Sequence, residues 1–321
     1  PMEPEVAFAG IVGQEDVVRE LGAAAKGSRL RGKPMPHMLF VGPPGTGKTT
    51  LARSTAKVAG ARLHETTGTH LKSVEALTEF VGRLEDGDML FLDEIHAVPQ
   101  PVLEAFYEAM TDRRLAGVEL PAFTVLAATT AEAALEPALL SRFGPPIQLG
   151  RYEDEVLADL IQARAAGEGR FLERDAALVI AEHARGTPRT ALTLLVRVLN
   201  DILGNGGQDL GAAAVEATLL RLGFNEEGLN PDEQRYRDVL ETQHRPVSVA
   251  QIARRMRLPV KTVLEQVEPE LLERGLVEIT PRGRVPVPTV RAGIPARLLG
   301  RARDGVLRYV AGSRAAGRRR D

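Results

Sequence analysis

The sequence predicts an α/β protein in three parts: a parallel-sheet domain, a small helical domain, and a C-terminal winged helix. Three observations carry that prediction. Apolar strand-type runs alternate with helix-forming runs through residues 1–150, every candidate element in 151–223 is helical, and three helices followed by a hairpin fill 224–290. Alternating strands and helices build a parallel sheet covered on both faces. Ligands of such sheets collect at the carboxyl ends of the strands.

In chain order, Ile11-Val12-Gly13-Gln14 leads into an amphipathic helix near Asp16–Ala25. Met38-Leu39-Phe40-Val41 is a short apolar strand. It runs into Gly42-Pro43-Pro44-Gly45-Thr46-Gly47-Lys48-Thr49 and then a helix from Thr50 to Ala59, which Gly60 stops. Ala61–Thr67 reads as a strand and Val74–Leu84 as a helix. Asp88–Glu94 is an apolar strand ending in two carboxylates, Pro101–Met110 a helix, and Phe123–Thr130 a buried strand. The chemically distinctive residues thus fall at strand ends, which the fold brings to one crevice.

Strand, glycine loop and helix form the setting in which G-x-x-x-x-G-K-[ST] is a phosphate cradle, the P-loop. Glycines let backbone N–H groups turn inward without a Cβ in the way, and the positive end of the following helix faces the same point. Lys48 then reaches the β- and γ-phosphates, and the Thr49 hydroxyl serves Mg²⁺. Asp93 at its strand end can hold the same metal, directly or through water. Glu94, one peptide on, can polarise a water for in-line attack on the γ-phosphate. Thr129 or Thr130 can hydrogen-bond that water or the γ-phosphate.

Beyond Gly150 the expected elements are Asp154–Ala166, Asp175–Ala184, Pro188–Leu203 and Ala212–Leu222, a small helical lid. Arg189, in Gly186-Thr187-Pro188-Arg189, opens a lid helix with proline in its first turn and can fold over the γ-phosphate. Ser141-Arg142-Phe143-Gly144 closes the α/β region, where an arginine can be offered to a neighbouring subunit's transition state. A polar, glycine-bearing stretch, Leu222–Asn230, marks the next boundary. Helices Asp232–Glu241, Val249–Arg257 and Pro259–Glu273 follow, with a Ser248/Gln251 capping box and a Gly275 stop. Strands Leu276–Ile279 and Arg284–Val287 flank the turn Thr280-Pro281-Arg282-Gly283.

Composition sets the class. With 44% hydrophobic and 26% charged residues and no cysteine, the 321-residue chain reads as a soluble, disulfide-free protein, which fits a cytoplasmic location. No apolar run reaches the ~20 residues of a membrane span, and the first residues lack the basic flank and apolar core of a signal peptide. The net charge of −2 conceals an asymmetry: 17 Lys+Arg against 7 Asp+Glu from Arg245 onward, and 24 against 36 before it. A basic C-terminal region on an acidic body points to an anionic polymer as its partner. Residues 291–321 read as a basic helix or tail ending in Arg318-Arg319-Arg320.

Together these motifs resemble the AAA+ ATPases and, among them, the RuvB family of Holliday-junction branch-migration motors. The resemblance rests on the glycine loop with Thr50-Leu51-Ala52, Asp93-Glu94-Ile95-His96, Ala128-Thr129-Thr130, Ser141–Gly144, Arg185–Arg189, Val267-Glu268-Pro269 and Thr280–Val285. It implies an ATP- and Mg²⁺-dependent ATPase and DNA helicase acting as a hexameric ring on duplex or junction DNA. Lys48 and Thr49 take the Walker A roles and Asp93 and Glu94 the Walker B roles. Thr130 is implied as sensor 1, Arg142 as the arginine finger, and Arg189 as sensor 2. Ile11, Val12 and Tyr152 match adenine-pocket positions, with Gly42–Thr50, Pro188 and Arg189 completing the nucleotide site. Arg282 and Arg284 in the wing are implied as phosphate contacts. Such contacts give position and salt dependence without sequence reading.

The chain also departs from the family. Only eight residues, Arg113 to Leu120, stand where family members carry the long hairpin that docks on RuvA, so the resemblance does not extend to that contact. Leu140 and Ala131 replace residues that are usually arginine. A clamp-loader-like or protein-remodelling AAA+ ATPase, tethered to DNA by its winged helix, is the competing reading.

Overall fold

The computed structural model describes residues 1–243 and 245–287. The basic tail from residue 291 onward lies outside them. The chain forms two compact units that divide after Val215.

The first unit opens with α1 (Pro4–Ala7) and α2 (Glu15–Arg31), and continues with β1 (Met38–Val41), α3 (Lys48–Ala59), β2 (Leu63–Thr67), α4 (Val74–Val81) and β3 (Met89–Asp93). Then come α5 (Gln100–Asp112), a hairpin of β4 (Arg114–Leu115) and β5 (Val118–Glu119), β6 (Thr124–Thr129), α6 (Pro137–Leu140) and β7 (Ile147–Gln148). Five strands pair in the order β2-β3-β6-β1-β7, all parallel. The period of two along the strands sorts the core into two layers. Leu39, Val41, Leu90, Leu92, Val125 and Ala127 pack with α4 and α5 residues such as Leu77 and Phe106. Phe40, Met89, Phe91, Leu126 and Ala128 face the other way, against Leu21 and Ala25 of α2 and Leu51 and Ala56 of α3. Truncating a fully buried side chain such as Phe40 costs ~3–5 kcal/mol, so the sheet is a rigid platform for its carboxyl edge.

Three expectations shift. The second helix runs to Arg31, not Ala25, because nothing breaks it before Gly32, which caps it in the left-handed region at φ 60. The fourth stops at Val81, with Gly82 at its C-cap, short of Leu84. The Arg113–Leu120 segment is not a plain connection. It folds back as β4 and β5 with Arg114 opposite Glu119 and Leu115 opposite Val118, a hairpin too short to extend far from the domain.

The lid follows in the same unit as α7 (Asp154–Gly167), α8 (Arg174–Ala184) and α9 (Pro188–Gly204). The unit boundary falls inside α10 (Ala212–Arg221).

The second unit contains α11 (Pro231–Gln243), α12 (Val249–Met256), α13 (Val260–Thr262), α14 (Glu268–Glu273) and the hairpin β8 (Val277–Thr280) and β9 (Gly283–Pro286). The helix expected over Pro259–Glu273 is interrupted between α13 and α14 by a wide turn, Val263–Val267, in which the Glu268 N–H reaches back to the Val263 carbonyl. Pro269 explains it. A proline has no N–H to offer the carbonyl four residues back and its ring collides with that carbonyl, so one extra residue in the turn makes room. Val263, Val267 and Leu271 still face a common core with Tyr236, Leu240, Ile252 and Met256.

Candidate nucleotide site

The glycine loop leaves β1, which lies between β6 and β7 in the sheet. The Gly42 N–H bonds the Thr129 carbonyl at 3.2 Å, and Leu149 N–H bonds Val41 O at 2.7 Å, which carries the sheet pairing to the loop's first residue. Gly45 and Gly47 take φ values of +82 and +101, a region closed to most side chains. The fully buried Thr46 ties the turn by donating to Pro43 O at 2.9 Å. Lys48, the first residue of α3, folds its Nζ onto Gly42 O and Pro43 O, each at 2.8 Å. Its pKa is lowered, first by burial, and the positive charge of Arg189 pushes the same way while Asp93 and Glu94 oppose. Two cations near the mouth of a helix N-terminus form a polyanion site.

Asp93 ends β3, and its Oδ1 accepts the Glu94 N–H at 2.9 Å. Glu94 sits in the left-handed region at φ 50. Gly68, after β2, lies so close that a Cβ there would stand 2.3 Å from Glu94 O. The carboxylate of Glu94 is gripped on one oxygen: Oε2 accepts from Thr130 Oγ1 at 3.2 Å and lies 3.1 Å from His96 Nδ1. Among the described residues no group of three or more His, Asp or Glu side chains could hold a metal ion. Mg²⁺ keeps waters and phosphate oxygens and takes few protein ligands; Thr49, in the first turn of α3, and Asp93, at the end of β3, are the candidate ligands.

The lid touches the loop directly. Arg189 N–H donates to Gly45 O at 3.3 Å. A Cβ on Gly45 would stand 2.8 Å from Thr187 Cγ2 and 3.0 Å from Arg189 Cβ. Pro188 starts α9 and fixes that approach. Tyr152 donates to Thr46 O at 3.1 Å, and burial pushes its pKa up. Its ring packs against Gly13, where a Cβ would meet Val156 at 2.4 Å. Ile11 and Val12, half-buried, precede that contact.

Arg142 lies elsewhere. With His37, just before β1, and with Met110 and Ser141 it lines a cavity at the strand's entry, while the glycine loop leaves its exit. Its guanidinium stacks on Tyr107 at 4.3 Å from the ring centroid and bonds Ala138 O. Arg142 Nε and Tyr107 Oη are buried without a hydrogen-bond partner among the described residues. The sequence reading placed Lys48, Asp93, Glu94, Thr130 and Arg189 together, and the fold gathers them; it keeps Arg142 apart from its own loop.

Against known proteins, residues 3–149 match the profile of the Holliday junction DNA helicase RuvB P-loop domain, and residues 226–290 that of the RuvB C-terminal winged helix domain. The Holliday junction branch migration complex subunit RuvB of Pseudothermotoga lettingae is 36% identical over 313 residues, covering 92% of this chain and 91% of the relative. The chain belongs to the RuvB family. RuvB of Thermosipho melanesiensis is 35% identical over 288 residues, covering 85% of this chain and 92% of its own. The structure of the Thermotoga maritima RuvB Holliday junction branch migration motor superposes with a TM-score of 0.77 at 33% identity, over 86% of this chain and 92% of that one.

In the RuvB-type winged helix the two expected phosphate contacts part company. Arg282 is exposed at the wing turn, its backbone N–H on Thr280 Oγ1. Arg284 is turned inward and does not project to solvent as a phosphate contact would. Its Nε and Nη2 bond the two oxygens of Glu268 at 2.8 and 3.0 Å, and the Tyr236 hydroxyl donates to the same carboxylate. Glu268 is 4% exposed and needs that cation. Burial alone would raise its pKa; Arg284 and Tyr236 outweigh burial and lower it.

The sequence reading assigned no role to three residues at these sites. His96 follows Glu94 by two residues in Asp93-Glu94-Ile95-His96, and that nearness is its one signal in the sequence. Tyr107, under Arg142, and Tyr236, beside Glu268, reach their partners only through the fold.

Proposed function

We propose that this chain is an ATP-hydrolysing motor that drives duplex DNA and migrates Holliday junctions as a hexameric ring. The observation that carries the reading is the pairing of Lys48 and Arg189, two cations from separate domains, over one glycine loop beside the carboxylates Asp93 and Glu94. In this reading Lys48 leaves the loop carbonyls for the β- and γ-phosphates. Thr49 and Asp93 hold Mg²⁺, which neutralises phosphate charge when bound. Glu94 takes a proton from water as its oxygen bonds the γ-phosphorus and the bond to the β-phosphate oxygen breaks, leaving ADP and phosphate. Thr130 steadies Glu94, and Arg189 carries the state of the site into the lid through α9.

Arg142 cannot serve its own loop from the far end of β1, so the reading assigns it to a neighbour's site as an arginine finger. Ile11, Val12 and Tyr152 receive the adenine, and Arg282 contacts DNA phosphate. The short β4–β5 hairpin, with Val118 of β5 exposed, stands where the family's partner contact would be. The reading therefore has this motor working without the usual RuvA grip.

The test is ATP-dependent migration of a synthetic four-way junction, with and without RuvA. Migration without RuvA is expected. Absence of migration in both arms would overturn the reading in favour of a protein remodeller.

A further inference from the structure

We infer that His96 is a positioning residue for hydrolysis: it holds one oxygen of Glu94 so that the other faces the attacking water. The inference rests on the assignment of Glu94 as the base.

The geometry is a closed ring of four residues. His96 Nδ1 lies 3.1 Å from Glu94 Oε2 and 2.9 Å from Thr129 Oγ1. Thr130, the next residue, donates its hydroxyl to the same Glu94 Oε2 at 3.2 Å. Thr129 is fully buried at the end of β6, and its Oγ1 also accepts the Ala131 N–H at 3.0 Å. The ring thus joins the end of β3, the short turn Ile95–Ala97 and the end of β6.

The tautomer follows from the chemistry. A bare Nδ1 lone pair 3.1 Å from a carboxylate oxygen would repel it, so Nδ1 carries the proton; that N–H bonds Thr129 Oγ1 at 2.9 Å and lays its positive end alongside Glu94 Oε2. Thr130 donates to Oε2, and the His96 imidazole flanks the same oxygen at 3.1 Å. Among the described residues Oε1 has no partner, and the Glu94 side chain is 35% exposed. One oxygen is fixed and the other is open to water, the posture a general base requires.

The backbone beneath is equally constrained. The Glu94 N–H is on Asp93 Oδ1 and its carbonyl accepts from Ala97 N–H at 2.8 Å. Ile95, with no exposed surface, anchors the turn that carries His96. With main chain and Oε2 both held, the side chain has little freedom left. That order is a condition for the reacting atoms to stay aligned. His96 is not a packing residue. Its side chain is 24% exposed, its hydrogen bond is with Thr129, and Glu94 Oε2 is its 3.1 Å electrostatic neighbour.

The test compares His96→Ala, His96→Asn and His96→Gln in the full chain with duplex DNA present, reading ATPase kcat, KM and ATP affinity. Asparagine returns an N–H at the Nδ1 position, whereas glutamine places its amide beyond it. His96→Ala is expected to lower kcat about tenfold, within the ~10²–10⁴-fold that a general base supplies, with KM and ATP affinity changed less than about twofold. His96→Asn should recover most of that loss and His96→Gln should not. Unchanged kcat in His96→Ala overturns the inference, as does an equal loss in all three variants. Glu94→Gln in parallel separates the two claims: if it hydrolyses normally, the base assignment itself fails. If Glu94→Gln is inactive and His96→Ala is normal, only the role of His96 falls.

Discussion

Replacing Arg284 by alanine should unfold the winged helix before it weakens any phosphate contact. The substitution leaves the Glu268 carboxylate, 4% exposed, with the Tyr236 hydroxyl as its remaining partner in the triad. Breaking a buried ion pair on one side costs ~3–5 kcal/mol, because the surviving charge is stranded. A domain of this size holds only ~5–15 kcal/mol in total and loses ~4–8 °C of melting temperature per kcal/mol. The second unit should therefore melt at least ~12 °C lower, read by calorimetry on the full chain. Arg282→Ala is the counterpart. It removes an exposed side chain, should shift stability by less than ~0.5 kcal/mol, and should reduce the salt slope of duplex binding by about 0.9. Replacing both members, Arg284→Met with Glu268→Leu, should restore much of the lost stability, since no charge is left stranded. An Arg284→Ala protein that melts like the parent while its salt slope falls like that of Arg282→Ala would refute this reasoning and return Arg284 to the DNA surface.

The same triad sets a pH dependence. The folded pKa of Glu268 lies below its ordinary value of 4.5, so its stabilising contribution is full above that value and is lost as pH falls through the folded pKa. In urea titrations the gap between the parent and Glu268→Gln should accordingly narrow on acidification below about 4.5; a gap that widens would contradict the sign. Gly45→Ala should lower ATP affinity about tenfold, since the left-handed backbone strain alone costs ~1–3 kcal/mol. The new Cβ would also press on Thr187 and Arg189 of the lid. Unchanged affinity by equilibrium fluorescence would show that the loop and lid do not need this close approach.

Much of this architecture is legible in the sequence because it is local. The glycine loop, the alternation that sends Leu39 and Phe40 to opposite faces, and the Pro188 start of α9 all act within a few residues. The helix expected near Asp16–Ala25 runs on to Arg31. In the fold Gly22 is a close approach, where a Cβ would stand 3.1 Å from Pro4. Pro269 was visible and its consequence, the wide turn before α14, was missed. The orientation of Arg284 is not local in this sense. In the chain it is one more arginine of a basic wing, and its orientation is decided by Glu268, sixteen positions away on another element. His96 stands two residues from Glu94, an offset that shows proximity in the chain but not which carboxylate oxygen the imidazole flanks. Arg142 could be named from its motif, but its distance from its own glycine loop needed the sheet.

The central claim is that the Lys48 of one protomer and the Arg142 of the next complete a single hydrolytic site. Mixing Lys48→Ala with Arg142→Ala subunits tests it most directly. Each variant alone should be nearly inactive in DNA-stimulated ATP hydrolysis, and the mixture should regain activity, because some interfaces then bring an intact Lys48 to an intact Arg142. A mixture as inactive as its components, or normal hydrolysis by Arg142→Ala alone, would contradict the account.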